Sequence, residues 1–369
     1  MNRKVVTLTW VATAATVAVI ASPVAAQQNP HLNASSVQLY GIVDAAIRHT
    51  SNHGKMQMVG GGMSQSRFGI NVTEDLGGGS KALATLEHRF NTDTGEKDAT
   101  APFFQLSYVG LQGPYGRLTA GRQWNVLFDL VTSTYASFPY SPYMDVYKPE
   151  IGFAVGARTN NMLKYTVEKG AVRAGLQYSF HEANTDSKTA GGYLRYAADG
   201  LAIGSAYMAT TLRGGTRIDA WTLGSSYRTG PWYFKVSYAT NKRKNDLTPV
   251  STALINAYWN NTSNGGFLPG NANKRRMYQI GGGYQINPQL NLSAYYYHAK
   301  QSGDPSGMFN NKAHFMVAVL DYALSKRTDA YVGVDHTRVR GGDGSYIEKV
   351  GNHLVRSRTG ITVGMRHRF

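Results

Sequence analysis

LKYTVEKGAVRAGLQYSF, residues 163 to 180, is the stretch whose reading decides the fold. After the turn, Val172, Ala174, Leu176, Tyr178 and Phe180 alternate with Arg173, Gly175, Gln177 and Ser179; before it, Leu163, Tyr165 and Val167 alternate with Lys164 and its neighbours. Successive side chains of a strand point to opposite faces, so each segment has one greasy face and one polar or small face. Glu168, Lys169 and Gly170 leave room for only a tight turn between them. One face wants hydrocarbon and the other wants water.

The pattern recurs along the chain. Trp232, Phe234, Val236 and Tyr238 oppose Tyr233, Lys235, Ser237 and Ala239, and at the end Ile361, Val363, Met365 and Phe369 oppose Thr362, Gly364, Arg366 and Arg368. Tight connections stand at GGGS (77 to 80), GPYG (113 to 116), EKG (168 to 170), ADG (198 to 200), TGP (229 to 231) and INP (286 to 288). Longer polar connections lie between them, near 49–63, 91–102, 124–157, 181–190, 242–274, 301–312 and 340–355, with 212–216 as the short exception. About sixteen strand-length segments joined alternately by tight turns and long loops describe a barrel standing in a membrane, with turns at one rim and loops at the other. Termini on the same rim make the strand number even. Aromatics on the apolar parity near strand ends, such as Tyr178, Phe180, Trp232, Tyr238, Tyr284 and Phe369, match the girdles of such a barrel and separate it from a secreted sandwich or propeller.

Composition agrees. Arg3 and Lys4, the uncharged run Val5 to Ile20 and the small residues Val24, Ala25 and Ala26 have the layout of a cleaved signal peptide, residues 1–26, followed by a single domain, 27–369. No later segment supplies the roughly 18 uninterrupted apolar residues of a spanning helix, and the mean hydropathy is -0.33. A barrel needs only every second residue to be apolar. The chain has no cysteine, so neither a disulfide framework nor a thiolate metal site is available. The formal charge is +16, and removing Arg3 and Lys4 from it leaves +14, an excess that attracts anions, including the phosphates of lipopolysaccharide.

Alternation also sorts the charges. Arg67 faces the lumen because Phe68, Ile70 and Val72 take the lipid side, and Arg158 shares parity with Asn160 and Lys164, opposite Leu163, Tyr165 and Val167. Arg122 shares parity with Leu118 and Ala120, which turns it outward unless a bulge resets the register. Arg48, Glu87, Arg89, Arg173, Lys235 and Asp44 also fall inward, mostly as wall charges, and make the lumen predominantly basic.

Five segments, SSVQLYGIVDAAI (35 to 47), SRFGINVTEDLGGGSKALATLE (66 to 87), YVGLQGPYGRLTAGRQ (108 to 123), DYALSKRTDAY (321 to 331) and VGMRHRF (363 to 369), closely resemble the general porins of Gram-negative outer membranes, especially the betaproteobacterial and neisserial branch. The resemblance covers essentially the whole mature chain. It implies an all-β fold, a 16-stranded antiparallel transmembrane β-barrel in the cell outer membrane, usually a homotrimer, with the third external loop folded into the lumen. Segment 124–157 stands in the position of that loop. Its KPEIGF (148 to 153) is similar to the acidic tip of related porins and carries Glu150, with Asp145 as a second acid, while Arg67, Arg122 and Arg158 match the basic wall opposite. Cations facing carboxylates across a narrow throat orient dipoles and sort ions by charge, and arginine stays ionised throughout.

The resemblance implies passive diffusion of small hydrophilic solutes and ions, with an anion preference from the basic balance. The alternative on the same architecture is a substrate-selective channel, in which Tyr135, Tyr140, Tyr143 and Tyr147 bind an organic acid or sugar; the same tyrosines serve equally to pack the loop on the wall. Expected partners are outer-membrane lipid, lipopolysaccharide and the assembly machinery, which recognises a terminal aromatic such as Phe369. No cofactor or metal is expected. Neither GxSxG nor HExxH occurs, and GGGSKA (77 to 82), a loose dinucleotide fingerprint, is followed by strand alternation where a helix is required, so no enzyme is expected. The basic residues form no recognition helix, so no nucleic acid is expected either.

Overall fold

The computed structural model describes residues 35–52, 54–98, 102–136, 156–180, 187–244, 246, 248–251, 272–343, 347–350 and 353–369. The expected signal peptide, Asp145 and Glu150 lie outside them.

The alternating segments become strands β1 (Ser36–Thr50), β2 (Met56–Gly60), β3 (Arg67–Gly77), β4 (Ser80–Arg89), β5 (Phe104–Gly113), β6 (Gly116–Trp124), β7 (Arg158–Lys169), β8 (Val172–Ser179), β9 (Ser187–Ala198) and β10 (Leu201–Leu212). They continue with β11 (Arg217–Thr229), β12 (Trp232–Arg243), β13 (Lys274–Gln285), β14 (Leu290–Ser302), β15 (Asn311–Ala323), β16 (Thr328–Gly341), β17 (Glu348–Val350), β18 (His353–Val355) and β19 (Ser357–Arg368). Helix α1 (Val126–Thr134) follows β6. Among the described residues β17 and β18 pair only with each other. β2 pairs with the loop-end half of β1 and β3 with its other half, so the two share one place in the wall. The remaining order closes β19 on β1, giving a 16-stranded antiparallel barrel.

Lipid and water explain the two faces. Leu176 is 65% exposed on the outside of β8, whereas its neighbour Gln177 is 5% exposed on the inside. Outward aromatics gather in two belts: Tyr165, Tyr196, Tyr227, Trp232 and Tyr322 near the turn rim, and Tyr178, Phe180, Tyr207, Trp221 and Tyr278 near the loop rim. The turn between β15 and β16 carries no Gly, Pro, Asp or Asn; instead Ser325 Oγ accepts from the backbone N–H groups of Arg327 (3.1 Å) and Thr328 (3.0 Å).

Closure depends on the last residue. Phe369 N donates to Gly41 O at 3.1 Å, and Gly41 N donates to Phe369 O at 3.0 Å. The Phe369 ring fills the place where a Cβ on Gly41 would stand, which is why glycine is needed there. Deleting Phe369 removes both hydrogen bonds and the ring contact, of the order of 2 kcal/mol at the seam. The expected outcome is a severalfold fall in heat-modifiable barrel in the outer membrane with export across the inner membrane intact, read by fractionation; unchanged outer-membrane levels would remove the idea.

Inside, Asp44 accepts from the N–H groups of Gly62 (3.0 Å), Met63 (3.1 Å) and Ser64 (2.7 Å) and from the Tyr331 hydroxyl (2.6 Å), holding residues 62–64 on the inner wall. Arg48 spans β19 to make two hydrogen bonds with Asp335, at 2.6 and 3.0 Å, and one with Thr362 at 2.7 Å. Burying such a pair is tolerable only because the remaining donors and acceptors are satisfied.

Candidate functional site

The inner wall between β1 and β7 holds a compact charge cluster. Arg67 opens β3 with Phe68, Ile70 and Val72 on the outside, as alternation requires, and its Nε stands 3.5 Å from Glu87 Oε2. Arg158 reaches the other carboxylate oxygen, Oε1, also at 3.5 Å, and the Tyr40 hydroxyl donates to Oε2 at 3.1 Å. The Arg158 guanidinium lies 3.5 Å from the centroid of the Trp124 ring, which stacks on Phe128 at 4.0 Å. A planar guanidinium suits this double duty, because it stacks on a ring while its edge meets a carboxylate.

Arg158 arrives there by a route that alternation alone does not give. Pairing between β6 and β7 steps from Gly121↔Met162 to Gln123↔Thr159, and Asn161 takes φ 49, so β7 carries an extra residue. Thr159, at 3% exposed, therefore takes the inward place beside Gln123. Arg158, the first residue of its strand and the register partner of Trp124, meets Glu87 from there.

The extra residue lies on β7, the partner of β6, which carries Arg122. Thr119 donates to Gln123 Oε1 at 2.6 Å, and both border the lumen with Arg117, so β6 keeps one parity from 119 to 123. Arg122 donates to Asn160 Oδ1 at 2.5 Å.

The other sequence-derived charges are inward but mostly tied down. Arg89 pairs with Asp98 at 2.7 Å, Arg173 pairs with Glu168, and Lys235 donates to Gln279 at 3.2 Å. Lys164 meets Asp129 at 2.6 Å and the Trp124 carbonyl at 2.8 Å. By contrast, Arg117, Arg195 and Arg228 contact neutral groups: the Tyr108 hydroxyl (3.0 Å), the Ser133 carbonyl (3.0 Å) and the face of Tyr233 (5.1 Å). They border spaces of ≈ 550 and ≈ 820 Å³ in the lumen.

The start of segment 124–157 lies along the inward-facing positions of this wall. Asn125 caps α1, accepting from Phe128 N at 3.0 Å and donating to Gly156 O at 2.8 Å. Val126, Leu127 and Leu130 recur at helical spacing and are fully buried. Leu130 fills the space above Gly204 of β10, and the Tyr135 ring occupies the place of a Cβ on Gly224 of β11. Gln177 on β8 accepts from Val126 N at 2.7 Å, Ser226 on β11 donates to Thr134 O at 2.5 Å, and Tyr233 on β12 donates to Ala136 O at 2.9 Å. Residues 125–136 are thus moored strand by strand from β7 to β12.

Asp129, Trp124 and the helix itself escaped the sequence reading, although Asn125 before a Val-Leu-x-x-Leu pattern is a helix-start signal. Tyr140, Tyr143, Tyr147, Asp145 and Glu150 lie outside the described residues. Among the described residues no group of three or more His, Cys, Asp or Glu is placed to hold a metal ion.

A closed wall of strands, apolar outside and lined by charge inside, defines the class: a β-barrel channel of the outer membrane. Residues 12–342 match the model of the Gram-negative porin family, and the chain belongs to that family. It is 28% identical over 374 residues to outer membrane porin protein 32 of Delftia acidovorans, spanning 95% of this chain and 99% of the relative. It is also 28% identical over 258 residues to an outer membrane porin of Bordetella pertussis, spanning 61% of this chain and 60% of that one. Among solved structures, the anion-selective porin from Comamonas acidovorans superposes with a TM-score of 0.71 at 26% identity, covering 91% of this chain and 100% of that one.

Proposed function

We propose that this porin is a passive, anion-preferring diffusion channel for small hydrophilic solutes and ions, driven by the solute's own gradient. The observation that carries the preference is the shared carboxylate: Arg67 and Arg158 flank one Glu87, so the cluster keeps a net positive charge. Arg117, Arg195 and Arg228, held by neutral groups, extend that charge toward the turn rim. The anion selectivity of the Comamonas acidovorans porin supports the same sign.

In this reading 124–157 is the constriction loop, carrying Glu150 and Asp145 opposite Arg67, Arg122 and Arg158, and the chain works as a homotrimer of domain 27–369 after removal of residues 1–26. The moorings of residues 125–136 support an inward course for the loop. Transport requires no cofactor and no catalytic residue. The substrate-selective alternative gains nothing from Tyr135, which is fully buried with its hydroxyl on Thr222 and therefore packs the loop.

Conductance in planar bilayers under a salt gradient tests the proposal. Ohmic openings in groups of three, with a reversal potential on the anion side, are expected. Cation preference would mean that the loop acids dominate the throat, saturation by one solute would favour a selective channel, and folded, inserted protein without conductance would sink the channel reading.

A further inference from the structure

The outer, lipid-facing wall carries a row of cations that the channel does not use. Across four adjacent strands, Arg276 of β13 lies opposite Lys300 of β14, Lys300 opposite Lys312 of β15, and Lys312 opposite Arg340 of β16. One step below, Arg338 stands opposite His314 and continues the charge. All of these share the outward parity, as the alternating exposure of the four strands shows. Like charges placed directly opposite each other in a sheet are destabilising, and four in register cost more than one pair.

Neighbouring acids do not relieve them. None of these five cations makes an ion pair among the described residues. On the adjoining stretch of the same rim the cations do have an acid among them: Asp219 lies opposite Lys242 and holds Arg217 at 3.0 Å and Lys244 at 2.5 Å. The bare row also borders a hollow of ≈ 610 Å³, lined by His298, His314, Lys300, Lys312 and Arg340. Beneath it the outward positions turn aromatic and then aliphatic, through Tyr278, Tyr296 and Met316 to Leu320.

We infer that this row is a docking surface for the phosphorylated headgroup of a lipopolysaccharide molecule in the outer leaflet. Its vertical order is that of an anionic lipid: cations at headgroup level, aromatics at the interface, aliphatic side chains along the acyl chains. Three strand spacings give the row a width of roughly 14 Å, broad enough for more than one phosphate. Its place at the loop end selects the outer leaflet. The inference rests on that orientation and not on conduction.

The test is native mass spectrometry of the detergent-purified, assembled porin titrated with diphosphorylated lipid A, with dephosphorylated lipid A in parallel. Replacing Lys300, Lys312, Arg338 and Arg340 by glutamine is expected to weaken binding of the diphosphorylated lipid by about tenfold or more. The single Lys312→Gln variant should weaken it by a smaller factor, and Lys188→Gln, an outward cation on β9 away from the row, should not. Conductance of the quadruple variant in bilayers should stay at the wild-type value, which separates failure of this site from failure of the channel reading. Should the quadruple variant not assemble, Lys312→Gln and the two lipids decide the matter. Undiminished binding by the variants, equal binding of both lipids, or equal retention of an acidic polysaccharide without phosphate would overturn the assignment.

Discussion

Replacing Arg67 and Arg158 together by glutamine is expected to move the reversal potential of the open channel from the anion side toward the cation side, with the anion-to-cation permeability ratio falling about fivefold. The reason is the charge balance around Glu87. In the native wall two guanidinium groups face one carboxylate, each 3.5 Å from a different oxygen. With both removed, Glu87 is left as a lone negative charge at the same place. Two unit charges at an effective dielectric of about 20 interact by roughly 4 kcal/mol at 4 Å and by about 1.5 at 10 Å, and mobile salt reduces the longer-range value further. About 1 kcal/mol at the distance of a passing ion corresponds to the fivefold change. Glu87→Gln should act in the opposite sense and strengthen anion preference. Glu87→Gln keeps the side-chain size and glutamine at 67 and 158 keeps a polar group on the water-facing wall, so loss of the barrel is not expected, and heat-modifiable mobility checks it. An unchanged ratio in both would mean that these charges only brace the wall.

The fold was legible in the sequence because lipid imposes a strict rule. Every second residue of a spanning strand must tolerate hydrocarbon, and Val172 to Phe180 or Ile361 to Phe369 obey it without regard to anything distant. Tight turns were equally plain where Gly, Pro, Asp or Asn marked them, and the turn at 324–327 shows the limit, since a serine hydroxyl does the same work there.

The site was only half legible. Alternation placed Arg67 and Glu87 inward, but their convergence with Arg158 depends on two intervening strands, β5 and β6, and on one residue, Asn161, whose φ of 49 breaks the register of β7. Motif and alternation disagree over Arg122, and the extra residue next to it lies on the partner strand. Moorings such as Lys164 to Asp129 join positions 35 residues apart. No local pattern can announce them.

Gly224→Val is expected to release the segment that starts at Asn125 while leaving the barrel closed. A valine suits the strand itself, where branched side chains pack well and glycine costs stability. What it excludes is Tyr135, whose ring fills the place of the missing Cβ and whose hydroxyl meets Thr222 on the same strand. Tyr135 is fully buried, and removing a large buried side chain costs roughly 3–5 kcal/mol. That energy is lost to the mooring and not to the sixteen-strand wall. The expected result is therefore a split: heat-modifiable mobility stays near wild type, whereas protease cleavage within 125–157 accelerates at least tenfold and open-channel current becomes noisier. Tyr135→Ala should reproduce this split from the other side of the contact, and combining the two substitutions should add little, because both remove one interaction. Should Gly224→Val match wild type in cleavage and noise, the Tyr135 contact is not what holds the loop. The helix anchors, Leu130 over Gly204 and Lys164 on Asp129, would then be sufficient on their own.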